Sequence, residues 1–195
     1  MTIALFETIS LVLGAYILGS LSSAIILSKL MGFTDPRSDG SNNPGATNVL
    51  RIAGKKAAIL TLTGDSLKGL IPILIAQWLT NSELVIALTG LGAFLGHCYP
   101  LFFRFKGGKG VATSMAVAVG FNWIIGLTII AIWLLFAKVF KISSLAAIVA
   151  FGALPLLVYW AGSTTSVTLV FWVISSILIW RHRSNIQRLI RGTEA

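Results

Sequence analysis

Apolar residues run through this chain in long blocks, with short polar segments between them. Residues 3–30 form the first block, of roughly membrane-spanning length. It has no basic leading region and no clear small-x-small cleavage site, so a retained helix is expected rather than a signal peptide. Further apolar blocks cover 57–79, 84–103, 111–137, 142–160 and 166–180. The polar punctuation is 33–51, then TNSE at 80–83, RFKGGKG at 104–110, KVFK at 138–141 and AGSTT at 161–165. No internal repeat or low-complexity linker interrupts the pattern.

Composition turns that pattern into a fold class. Of 195 residues, 56% are hydrophobic and only 11% charged, against about 25% charged in soluble domains. No soluble core could hide this much apolar surface, and mean hydropathy is +0.89. Disorder, a disulfide-stapled secreted domain and a nucleic-acid binder are excluded on the same grounds, the lone Cys98 having no internal partner. The expectation is an all-α polytopic transmembrane bundle forming one domain over residues 1–195.

Charge sets the expected topology. Fifteen Lys and Arg against six Asp and Glu give a net +9. Lys29, Arg37, Arg51, Lys55 and Lys56 surround the first polar stretch, Arg104, Lys106 and Lys109 occupy the second, and Arg181, Arg183, Arg188 and Arg191 lie in the tail. The positive-inside rule puts 33–51 and 104–110 in the cytoplasm and 80–83 outside. A single pass through 111–137 would then place KVFK and the arginine-rich tail outside. An even number of passes restores the rule, with a turn near Gly120 to Trp123. The block is short for two full crossings at 1.5 Å per residue, so short helices or a re-entrant hairpin are expected there. The count is seven helices, or five plus a re-entrant pair, with the N-terminus outside and the C-terminus inside. Three polar segments then share one face, as suits a protein that builds a site.

The first of these, DPRSDGSNNPGATNVLR at 35–51, is rich in site chemistry. Gly40 and Gly45 permit positive φ and close backbone approach. Ser41, Asn42, Asn43, Thr47 and Asn48 bring side-chain donors and acceptors, and Arg51 a permanent fork for an oxyanion. Backbone N–H groups in such a turn can form an anion nest, above all if a helix begins near Thr47. The plainer reading is a solvated loop whose Gly, Asn and Pro make turns.

The second, GHCYPLFFRFKGGKGVATS at 96–114, resembles a phosphate loop in content but lacks the Walker spacing. His97 and Cys98 are helix neighbours that do not face each other, which argues against a dyad; His97 could equally be structural. In the third, RHRSNIQRLIRGTE at 181–194, His182 and Asn185 are i, i+3 neighbours. Arg181, Arg188 and Arg191 are expected mostly on the other side, facing headgroups or water. Asp65 and Lys68 lie inside an apolar block, where charges are paired or functional; mutual neutralisation is the plainer reading. No paired-carboxylate dyad, metal cluster or nucleophile triad is evident, and no metal or cofactor is expected. The inventory suits binding and neutralising phosphates where a lipid chain enters from the side.

Together the segments GSNNPGATNVLRIAGKK, GHCYPLFFRFKGGKGVATS and RHRSNIQRLIRGTE resemble the three motifs of the bacterial acyl-phosphate:glycerol-3-phosphate acyltransferase family, in its order and spacing, over nearly the whole chain. The resemblance implies an integral enzyme of the bacterial inner membrane, active on the cytoplasmic face. Such an enzyme moves a fatty acyl group from acyl phosphate to the 1-hydroxyl of glycerol 3-phosphate and makes lysophosphatidic acid, the first acylated intermediate of phospholipid synthesis. It implies membrane lipids, no nucleic acid, and a soluble phosphate acyltransferase that produces acyl phosphate among its partners. Ser41 and Arg51 match the essential Ser and Arg of the first motif, and His182 and Asn185 the catalytic pair of the third. Gly107, Gly108 and Gly110, with Lys109, match the glycines associated with glycerol 3-phosphate, and Glu194 a structurally important Glu. Asn43, Gly45, Thr47, Asn48 and His97 are further expected substrate-binding residues, with Asp65 and Lys68 structural. Asn42 stands where many members carry Gly; Asn tolerates left-handed backbone better than most residues, so the loop shape is expected to be kept. A transporter of an organophosphate anion is the alternative, and it predicts inverted repeats or polar groups on both faces.

Overall fold

Without water, every backbone polar group in a bilayer needs an internal partner, and helices meet that demand. The computed structural model describes residues 2–194, and among them the regular structure is helical. The helices are α1 (Thr2–Gly19), α2 (Ser23–Met31), α3 (Ala46–Leu79), α4 (Glu83–Cys98), α5 (Val111–Phe121), α6 (Trp123–Phe140), α7 (Ser143–Trp160), α8 (Thr165–Arg181) and α9 (Arg183–Ile190), with a 3₁₀ turn at Leu101–Phe103. Five spans are long and apolar enough to cross a membrane, the first of them Leu5–Met31, and α8 with α9 makes a sixth if that pair, bent by 57°, counts as one.

Among the described residues the candidate spans thus number five or six rather than seven, and the bent pair is α8–α9 rather than the block 111–137. The block 111–137 does break where expected, at Asn122, whose side chain caps α6 by accepting from the N–H groups of Ile124 and Ile125. Its two halves are unequal. The 11 residues of α5 rise only about 16 Å, roughly half the ~30 Å of hydrocarbon. The 18 residues of α6 can cross. That length is reached by absorbing most of KVFK: Lys138 lies in the last turn, favourable to the helix dipole, and only Lys141 leaves the helix, at φ 58.

The first block also differs from a single helix. It breaks at residues 20–22, where the Ser20 hydroxyl bonds back to the carbonyl of Tyr16 and the carbonyl of Leu21 is taken by a side chain described below. α3 is interrupted too, at Gly54 with φ 79 and ψ −177, a region open essentially to glycine alone.

The chain forms two compact units, Met1–Val117 and Ala118–Ala195. In the N-terminal unit α4 is the centre, packed on α1 and α3. Its face toward α1 is a small-xxx-small stripe, Gly92 to Gly96, of the type that lets membrane helices approach closely. A Cβ at Gly96 would lie 2.2 Å from the Tyr16 carbonyl oxygen, and one at Gly92 2.5 Å from that of Val12. In the C-terminal unit α7 packs on both α6 and α8. Phe151, Leu154, Phe171 and Leu178 are buried there, and Phe121 meets Phe171 edge to face at 4.9 Å. Exposed tryptophans stand at helix ends, Trp78 in α3, Trp123 in α6 and Trp160 in α7, as membrane interfaces favour.

Because the α1–α4 contact is backbone on backbone, it cannot yield to an added methyl group. Gly96→Ala is expected to cost about 1–3 kcal/mol, read as a lower unfolding temperature in detergent. Gly14→Ala, with nothing within 4 Å of its added Cβ, is the matched control and should be neutral or slightly stabilising.

Candidate active site

The loop before α3 is organised by one buried amide. Asn48, on the first turn of α3, accepts the Ser41 N–H through Oδ1 at 2.8 Å. Its Nδ2 donates to the carbonyls of Pro36 at 3.0 Å and Asp39 at 2.9 Å. One side chain thus ties three points of the loop to the helix. Left-handed backbone occurs at Gly40, φ 60, and at Asn42, φ 55, so Asn42 adopts the conformation expected of it. Gly45 does not: it is the extended N-cap residue of α3, at φ −128. Its smallness still matters, because a Cβ there would meet Asn43 Nδ2 at 2.8 Å. Ser41, Thr47 and Arg51 are exposed and Asn43 is half-buried. Asp35 pairs with Arg37 at 2.7 Å, and the guanidinium hydrogen bonds to that carboxylate hold its pKa below the usual range.

The glycine loop lies on the end of α4. Gly108 N–H donates to the His97 carbonyl at 3.2 Å. Its Cα faces the His97 ring so closely that a Cβ would sit 2.2 Å from Nε2, and a Cβ at Gly107 would meet the His97 carbonyl oxygen at 2.1 Å. Gly107, Gly108 and Gly110 are buried and Lys109 half-buried. These glycines are small, first of all, because the loop must pack on α4.

Asp65 and Lys68 are buried and paired. Lys68 Nζ stands 2.8 Å from Asp65 Oδ1, as an ion pair outside hydrogen-bond alignment, and donates to the Leu21 carbonyl at 2.9 Å. The break in the first span thus exposes a carbonyl that the buried ammonium needs. Thr113, on the first turn of α5, donates to the Asp65 carbonyl at 2.9 Å and lies 3.1 Å from His97 Nδ1. Thr113 was not anticipated; 48 residues separate it from Asp65, and no local pattern joins them.

In the C-terminal unit His182 sits at the bend between α8 and α9, buried, with Nδ1 2.8 Å from the Leu178 carbonyl. A carbonyl only accepts, so Nδ1 carries the hydrogen and the lone pair of the neutral ring is on Nε2. Asn185 is buried one turn on. Its Nδ2 donates to Glu194 Oε1, which also accepts from Ser144 Oγ at 2.6 Å, while Arg188 Nε donates to Oε2 at 2.6 Å. Arg188 therefore shares the Asn185 side, contrary to the expectation for the tail's arginines. Residues 185 and 188 are three apart on a helix and adjacent on its surface. Ser144, on α7, carries no signal of this role in the sequence. Burial raises the Glu194 pKa, but the hydrogen bonds from Ser144, Asn185 and Arg188 outweigh it, and the net shift is downward.

The family model for glycerol-3-phosphate acyltransferase matches residues 9–192. The chain belongs to the glycerol-3-phosphate acyltransferase family. The glycerol-3-phosphate acyltransferase of Methylococcus capsulatus is 52% identical over 182 residues, covering 93% of this chain and 91% of that protein. The one of Hydrogenovibrio crunogenus is 51% identical, covering 93% and 87%. The crystal structure of PlsY (YgiH), an integral membrane glycerol 3-phosphate acyltransferase in its glycerol 3-phosphate form, superposes with a TM-score of 0.93 at 42% identity, covering 97% of this chain and 94% of that one. Its lysophosphatidic acid form superposes at 0.87 with 41% identity and the same coverage. This acyltransferase is thus a multi-pass integral membrane enzyme of phospholipid synthesis.

Two outcomes follow for the acyltransferase. Asn48→Asp keeps the shape but cannot donate to the carbonyls of Pro36 and Asp39, and each buried group left unpaired costs about 1–3 kcal/mol. Thermal unfolding should come earlier, and limited proteolysis should cut within 36–44. Glu194 titrates lower in the folded protein, so its contribution is complete above the ordinary carboxylate range and disappears as pH falls through the lowered value. Carboxypeptidase release of the tail should rise in that acid window, and Glu194→Gln should remove the pH dependence.

Proposed function

We propose that the chain transfers a fatty acyl group from acyl phosphate to the 1-hydroxyl of glycerol 3-phosphate. The bond from the acyl carbon to the phosphate oxygen breaks, an ester to the glycerol oxygen forms, and lysophosphatidic acid and phosphate leave. The observation that most supports this is the likeness to an acyltransferase solved with glycerol 3-phosphate and with lysophosphatidic acid. The donor is a mixed anhydride with a good leaving group, so catalysis is positioning and charge neutralisation. Arg51 and Lys109 neutralise substrate phosphates, and the loop 107–110 receives that of glycerol 3-phosphate. Ser41, Asn43, Gly45 and Thr47 line the anion-binding turn, with Ser41 a phosphate or oxyanion ligand rather than a nucleophile. We assign Asn48 and His97 to shaping these loops, because their polar atoms face the protein's own backbone and side chains. His182, through Nε2, or a substrate phosphate accepts the hydroxyl proton, with Asn185 as its neighbour.

The same proposal extends to the cell. Residues 1–195 act as one domain in the bacterial inner membrane, with the N-terminus outside and the segments 33–51, 104–110 and 181–194 on the cytoplasmic face. The excess of Lys and Arg in those segments supports it. A soluble phosphate acyltransferase that makes acyl phosphate is the expected supplier.

Purified protein given acyl phosphate and glycerol 3-phosphate should form lysophosphatidic acid by mass detection, and acyl-CoA should not replace the donor. His182→Ala should lower kcat by about 10²–10⁴-fold in folded protein, whereas Cys98→Ala stays near wild type. An acyl adduct on Ser41 after acyl phosphate alone, discharged by glycerol 3-phosphate at a competent rate, would overturn direct transfer.

A further inference from the structure

We propose that Thr113 is a positioning residue for the glycine loop: by fixing the His97 ring it sets the affinity for glycerol 3-phosphate, without touching substrate. This rests on the reading of loop 107–110 as the acceptor-phosphate site.

The hydrogen count carries it. A threonine hydroxyl has one hydrogen, and that of Thr113 goes to the Asp65 carbonyl at 2.9 Å. Toward His97 Nδ1, 3.1 Å away, the oxygen therefore accepts. Nδ1 carries the hydrogen, and the lone pair of the neutral ring lies on Nε2, the atom pressed against Gly108. His97 touches the loop a second time through its backbone carbonyl, which accepts the Gly108 N–H. Tautomer and rotation of this imidazole are thus loop geometry, and Lys109 is the next residue.

The far side of Thr113 is equally fixed. A Cβ at Gly69 would lie 2.4 Å from the Thr113 carbonyl oxygen, so α3 and the start of α5 meet backbone to backbone. Asp65, whose carbonyl takes the hydroxyl, is held by Lys68, and Lys68 by the Leu21 carbonyl. Asp65 Oδ1 also lies 3.8 Å from His97 Nδ1, which favours a hydrogen on that nitrogen. Without the hydroxyl, Nδ1 loses the acceptor 3.1 Å away. The ring can then turn, or place its hydrogen on Nε2 against the Gly108 backbone, and the loop must move.

Steady-state kinetics of the purified full chain test this. Thr113→Val should raise KM for glycerol 3-phosphate about five- to tenfold, the scale of one buried hydrogen bond, with kcat and the KM for acyl phosphate within about twofold. Thr113→Ser should restore it. A fall in kcat at unchanged KM, an equal rise in both KM values, or no rescue by folded Thr113→Ser would overturn the inference. The ¹⁵N shifts of the His97 ring in wild type decide even if Thr113→Val fails to fold: Nδ1–H supports the inference and Nε2–H refutes it. Lys109→Ala separates the two levels. Unchanged KM for glycerol 3-phosphate in that variant defeats the reading of the loop. A rise there without one in Thr113→Val defeats only the role of Thr113.

Discussion

A lysine and an aspartate three residues apart in an apolar helix have no water to keep them charged, and each alone would be costly at that depth. Their pairing, at 2.8 Å, is the contact on which the N-terminal unit depends. The pair is incomplete by itself, because an ammonium has three donors. One goes to the Leu21 carbonyl, and that carbonyl is available because the first span breaks there. An open carbonyl in hydrocarbon and a buried cation would each be a liability, and together they satisfy one another. The aspartate's backbone carries the same logic onward, through Thr113 to His97 and the glycine loop.

Close approach is the second constraint. α4 meets α1 across Gly92 and Gly96, and its end receives the loop across Gly107 and Gly108. At Gly92, Gly96 and Gly107 a methyl group would meet backbone, and at Gly108 it would meet the buried His97 ring. The glycine-rich composition that invites a phosphate-loop reading is thus required for packing before any ligand arrives. In the proposed phosphate-binding role, a loop already pressed on a helix needs little further ordering.

The C-terminal unit solves a comparable problem with a carboxylate. Glu194 collects donors from α7 and α9, and so ties the tail beside the bend that carries His182. The hydrogen bonds outweigh the cost of burial, which is why its pKa falls rather than rises.

By itself the sequence determined the class of molecule, most of the apolar helical blocks, a break between Gly120 and Trp123 and the family. These follow from hydropathy, from cap and turn residues and from long motifs, all of which act over a few neighbouring positions. It also marked Asp65, Lys68, His97 and Glu194 as unusual. What those residues touch was decided only by tertiary structure. Thr113 and Ser144 give no local sign of their roles, being 48 and 50 residues from their partners. The break at Leu21 reads as continuous helix until Lys68 reaches it. The three bonds by which Asn48 ties the loop to α3 have no sign in the local pattern. Composition says which polar groups must find partners in a membrane; only the packing of helices says which partner each one finds, because the donors and acceptors meet across distances in sequence that no local pattern encodes.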